Sequence, residues 1–134
     1  MNQHRIGQLA LALFALGFGL LTIASGGRVL FGGEEARLAA GHYVPFVLWF
    51  NFLAGFAYLV AGYAIVRSPA WATKLSLWIA VATALVFAGL ALHIGTGGMF
   101  ELRTVVAMTF RTLAWCAIYL VVRRTLTQSR KLTQ

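Results

Sequence analysis

The chain carries four apolar runs, at residues 6–24, 44–66, 71–94 and 104–122, each long enough to cross the hydrocarbon core of a bilayer. No other feature restricts the fold so strongly. A lipid interior offers no hydrogen bonds to backbone N–H and C=O groups, so segments of this length and polarity must satisfy those groups internally as helices. The expected architecture is an all-α integral membrane protein, with four transmembrane helices in a compact antiparallel bundle forming a single domain over residues 1–134. Composition agrees. Of 134 residues, 60% are hydrophobic and 10% are charged, and the mean hydropathy of +0.82 lies far from the balance of a soluble domain.

The connections can be read from their punctuation. A basic start and an apolar run closing on Ala24-Ser25-Gly26 match the outline of a cleaved leader, but the run is longer than the apolar part of such leaders and reads as a retained span. Gly26-Gly27 is expected to end it. In the connection that follows, Glu34-Glu35 after two glycines, then Ala36, Leu38, Ala39 and Ala40 before Gly41, predict a short helix with acids in its first turn. That helix is expected at the membrane interface. Pro45 falls in the first turn of the second span, where its missing N–H costs no helical bond, and Pro69 does the same for the third. Gly95-Thr96-Gly97-Gly98 reads as a non-helical link. Residues 123–134 form a basic tail.

The net charge of +8 does not point to nucleic acid, because the basic residues flank the spans instead of forming a basic domain. Arg5, Arg67, Lys74, Arg123, Arg124, Arg130 and Lys131 fall on the side of the termini, against Arg28, Arg37 and Arg103 on the other. That asymmetry predicts a multi-pass protein of a bacterial-type inner membrane with both termini cytoplasmic. All three acids, Glu34, Glu35 and Glu101, then lie on the outer face together with His42 and His93.

One residue breaks the apolar pattern. Arg111 lies inside the run at 104–122, where a charge is costly and demands an acid, a dipole, water or a ligand, so it marks a candidate site. It follows Arg103 by eight residues, and Asn51 follows Tyr43 by the same interval, which puts both about 12 Å below the outer interface at 1.5 Å per residue. Asn51 shares a helical face with Val47, Ala54, Gly55, Tyr58, Ala61 and Gly62. A small-residue face of this kind lets another helix approach closely.

These placements predict an outward-opening polar pocket. Arg111, Asn51, Tyr58 and Glu101 are its candidate ligand-binding residues. His42, His93, Glu34 and Glu35 offer a mixed nitrogen and oxygen set for a divalent transition metal, although no HxxxH spacing puts two of them on adjacent turns. The two histidines are also candidate axial ligands for haem, without any attachment motif. Simpler roles compete with each assignment: an ion pair of Arg111 with one of the three glutamates, an interhelical hydrogen bond from Asn51, and interfacial positions for the histidines. The aromatic residues Trp49, Phe50, Phe52, Phe56 and Tyr58 fit ordinary packing and lipid contact.

Catalysis has little support in the sequence. There is no nucleophile elbow, phosphate loop or paired-histidine motif. The single cysteine, Cys116, excludes an intrachain disulfide and is expected to be a small buried residue. The function expected is binding of a metal ion or small polar ligand. The alternative is a non-catalytic accessory or assembly subunit whose polar groups fix helix packing. The bilayer is the expected partner, with a homo-oligomer or a larger membrane complex as the protein context.

Overall fold

Glycine pairs in this chain do two different jobs, and the first helix shows both. In the computed structural model, which describes residues 2–134, α1 (Gln3–Phe31) continues through Gly26-Gly27 and stops at Gly32, whose N–H donates to the Arg28 carbonyl at 2.9 Å. The expected stop at Gly26-Gly27 is therefore corrected. Gly26 stands against Phe52, whose Cβ would lie 3.1 Å from any Cβ added at the glycine. Its missing side chain lets two helices meet and does not end one.

The remaining helices are α2 (Glu34–Ala40), α3 (Pro45–Arg67), α4 (Pro69–Gly95) and α5 (Leu102–Leu132). All except α2 are long and apolar enough to cross a membrane. Pro45 and Pro69 open α3 and α4 as expected. The basic tail is helical as well, since α5 runs without a break to Leu132.

Small residues face inward and large ones outward. The main core cluster contains Ala12, Ala15, Ala54, Ala61, Ala64, Ala72 and Ala80 around Tyr58 and Trp115, whereas Leu21, Trp78, Leu85, Leu92 and Leu113 are all about two-thirds exposed or more. In water this would be inside out. Among lipid tails, which solvate leucine as well as a protein interior does, helix association relies on close backbone approach, and small residues provide it.

The closest approach is between α1 and α3. Gly62 packs on the Ala12 carbonyl and Leu16, Gly55 on the Gly19 carbonyl and Ile23, and Phe52 on Gly26. In addition α3 packs on α4 and α4 on α5, but α1 and α5 do not form a close pair. A smaller cluster of Val44, Val47, Leu90 and Met108 fills the space between α3, α4 and α5 near the α2 end. Cys116 is exposed, against expectation, because it falls on the face of α5 turned away from Trp115 and Ile118.

The short helix α2 is held at both ends by glycine geometry. Gly33 and Gly41 have φ of +88° and +72°, which a residue with a Cβ adopts only at a cost. Gly41 is doubly restricted. A Cβ there would also run into the Glu101 carboxylate.

Candidate functional site

Arg111 projects from α5 toward α1. It is 8% exposed, its Nη2 donates to Thr22 Oγ1 at 3.2 Å, and its Cζ lies 5.2 Å from the centre of the Phe18 ring, within cation–π range. Its Nε is buried and has no hydrogen-bond partner. Among the described residues no carboxylate comes within ion-pairing distance of it; the pair that does form is His42 Nδ1 with Glu101 Oε1, at 3.6 Å. The ion pair of Arg111 with Glu101, Glu34 or Glu35 is thus corrected. Those acids belong to α2 and to the N-cap of α5, and Arg111 follows Glu101 by ten residues, almost three turns along α5.

Arg111 and Asn51 do share a cavity, as their depths predict. A cleft of about 870 Å³ opens between α1, α3 and α5 under α2. Thr22, Ser25, Arg28 and Val29 line it from α1, Glu35, Ala36, Ala39 and Ala40 from α2, and Val44, Val47, Leu48 and Asn51 from the start of α3. Glu101, Arg103, Thr104, Ala107 and Arg111 complete it. Asn51 is half-buried and its Oδ1 has no partner, so the interhelical bond expected of it is not made. Two of the residues that line the cleft thus each hold a buried polar atom without a partner among the described residues.

An aromatic layer packs against Arg111 through Phe18. Phe18 lies against Phe110, with ring centres 5.6 Å apart, and stacks on Tyr58 at 5.2 Å. Tyr58 in turn packs on Trp115 at 4.7 Å. Tyr58, expected among the ligand-binding residues, is fully buried in this layer and is not among the residues that line the cleft. Its ring is taken up by packing.

The rim is tied down. Glu101 Oε1 accepts from the His42 backbone N–H at 2.8 Å. Arg103 Nη2 donates to the Ala40 and Ala39 carbonyls at 3.0 and 3.4 Å, and Arg37 Nη2 to the Leu30 carbonyl at 3.4 Å. The Arg103 bonds take up carbonyls left open at the end of α2, and the Arg37 bond one at the end of α1, which no further helical turn would satisfy. Glu101 and Arg103 line the cleft, but their first task is to hold α2 over it.

The four candidate metal ligands are not brought together. His42 is occupied by Glu101, and His93 Nε2 is 3.0 Å from the Met99 carbonyl in the tight turn that also carries the Gly98 N–H to the His93 carbonyl. Glu35 lines the cleft, whereas Glu34 does not. Among the described residues no three His, Cys, Asp or Glu side chains form a group able to hold a metal ion.

Comparison with known protein families, curated proteins and solved structures found no match to this chain. The chemistry of the site therefore has to come from its own residues. A buried guanidinium without a carboxylate partner among the described residues has donor chemistry suited to an oxyanion, since the planar fork of arginine matches carboxylate and phosphate geometry.

The residue that sequence reasoning missed is Thr22. Its signal was present: Ala12, Ala15, Gly19, Thr22 and Gly26 recur at intervals of three and four along α1 and all are buried. The rule that put Asn51 on the inner face of α3 applies equally to this stripe.

Proposed function

We propose that this is a small polytopic membrane protein that binds an anionic small molecule in the cleft, with Arg111 as the charge-bearing contact and Asn51 and Thr22 beside it. The observation that carries this reading is a guanidinium buried among apolar helices without a carboxylate. Uncompensated charge in such a place costs several kcal/mol, and a bound oxyanion offsets it. The metal-binding form of the pocket has less support, because its four candidate ligands are engaged elsewhere or stand apart.

The reading of the polar groups as structural keeps its force at the rim. His42, Glu101 and Arg103 are used to fasten α2, as an accessory subunit with polar packing contacts would use them. Arg111 touches α1 through Thr22 and Phe18 but meets no carboxylate among the described residues.

In this reading the four long helices are antiparallel in a bacterial-type inner membrane, with both termini cytoplasmic and α2 at the outer interface, consistent with seven basic residues against three. A C-terminal reporter active only in the cytoplasm should be active; activity only from a periplasm-specific reporter would reverse the orientation.

Methyl phosphate is a suitable probe of the site, being a small soluble monoester. It should raise the unfolding temperature of the detergent-solubilised protein in a saturable way, as any ligand bound only to the folded state does. Methyl phosphate that gave no stabilisation beyond that of a matched chloride control would refute the oxyanion site.

A further inference from the structure

The cleft is larger than a small oxyanion needs and is bounded unevenly. A water molecule occupies about 30 Å³ in the liquid, so 870 Å³ corresponds to roughly thirty waters and falls toward the upper end of small-molecule sites. A lone phosphate at Arg111 would leave most of it to other contacts. Those contacts are largely apolar and small, including Val29, Ala36, Val47, Leu48 and Ala107.

The boundaries indicate how a larger ligand reaches Arg111. Backbone contact closes the α1–α3 side, where Gly19 and Gly55 meet. Phe18, under the Arg111 guanidinium, packs on Phe110, and α2 covers the top, fastened by Arg103. The side between α1 and α5 has no close helix pair, and Ser25, which lines the cleft there, is exposed. Beyond that gap lie Leu21, Val106 and Phe110, apolar residues that are more than half exposed on helices long enough to cross a membrane. The cleft thus opens sideways onto a surface suited to lipid tails.

We infer that the ligand is a membrane amphiphile with a terminal oxyanion, a phosphate monoester or carboxylate, which enters between α1 and α5 with its head on Arg111 and its tail in the bilayer. This rests on the anion-binding reading above and narrows it. Arg28 and Arg103 stand at the mouth of the same cleft, so a headgroup moving inward passes two cations before it reaches the third. Such a path suits lipid phosphate, because arginines near the interface attract anionic headgroups. The apolar wall accommodates the first part of the tail, and each methylene it covers adds to affinity.

Phosphatidic acid, a phosphate monoester lipid, tests this in nanodiscs made mainly of phosphatidylcholine. The wild-type protein, extracted gently and weighed intact by native mass spectrometry, should retain phosphatidic acid about tenfold over its bulk ratio to phosphatidylcholine, the factor one charge-assisted hydrogen bond supplies. Arg111→Met should lose that enrichment. Leu21→Trp, which adds bulk at the α1–α5 gap outside the cleft lining, should lose it too while still being stabilised by methyl phosphate. Retention at the bulk ratio, with methyl phosphate still binding through Arg111, would overturn the amphiphile and leave the oxyanion site standing. Failure of both probes would remove both readings, and methyl phosphate binding that competes with no lipid would assign the site to a soluble anion.

Discussion

Arg111→Met is expected to weaken methyl phosphate binding by about a hundredfold, the loss of roughly 3 kcal/mol from a charge-assisted bond and its electrostatic field. The same change should not destabilise the ligand-free protein. Methionine matches the length of the arginine stem and has no charge to desolvate. The substitution removes a burial cost of about 2.5–3.5 kcal/mol for arginine at the centre of a transmembrane helix. Against that it gives up the Thr22 hydrogen bond, worth about 1 kcal/mol, and the contact with Phe18, worth about 1 kcal/mol. The balance favours the variant by roughly 1 kcal/mol in thermal unfolding without ligand. An arginine held in a buried ion pair behaves in the opposite way, because removing one partner strands the other at a cost of about 3–5 kcal/mol. Destabilisation on that scale would show that Arg111 is a scaffold residue. Arg111→Lys should keep the charge, lose the planar fork and fall between the two in binding.

A substitution in the α1–α3 contact should have the largest effect on stability. Gly19→Leu is expected to destabilise the protein by about 3 kcal/mol, at the upper end of the cost of overpacking, measured by thermal unfolding in detergent. An added Cβ at Gly19 would already lie 2.8 Å from the Gly55 backbone oxygen and 3.1 Å from the Tyr58 Cβ. Neither neighbour can yield without moving α3, since one is backbone and the other belongs to the buried aromatic layer. Gly17, two residues earlier on the same helix, has nothing within 4 Å of the corresponding position. Gly17→Leu should therefore stay within about 0.5 kcal/mol of wild type, as surface substitutions usually do. Equal losses at the two sites would contradict the close packing of α1 on α3. Because Thr22 lies on the same α1 stripe as Gly19, displacing α1 should also pull it from Arg111 and weaken anion binding.

Much of this organisation is legible in the sequence, for identifiable physical reasons. Apolar length announces the four long helices, since only a helix satisfies its own backbone in lipid. The acids and glycines around Leu38 announce α2, and equal distances from Tyr43 and Arg103 single out Asn51 and Arg111, which line one cleft. What the sequence obscures is the choice among partners. Glu101 is near Arg111 in sequence and opposite in charge, yet it is spent on the His42 backbone N–H, a bond no spacing rule anticipates. Tyr58 shares the face of Asn51 but lies two turns farther along α3, packed between Phe18 and Trp115. Gly26-Gly27 resembles a helix stop because local propensity cannot tell a terminating glycine from one that admits Phe52. In each case tertiary contact decides between roles that local pattern leaves equal.

The central claim, that Arg111 presents a free donor to an anion, is tested most directly at its Nε–H. In ¹⁵N spectra of the protein labelled at arginine, with Arg111→Met supplying the assignment, addition of methyl phosphate should shift the Arg111 Nε–H resonance saturably and downfield as it gains an acceptor. An Arg111 Nε–H that stays fixed throughout the titration, while the exposed arginines respond, would contradict it.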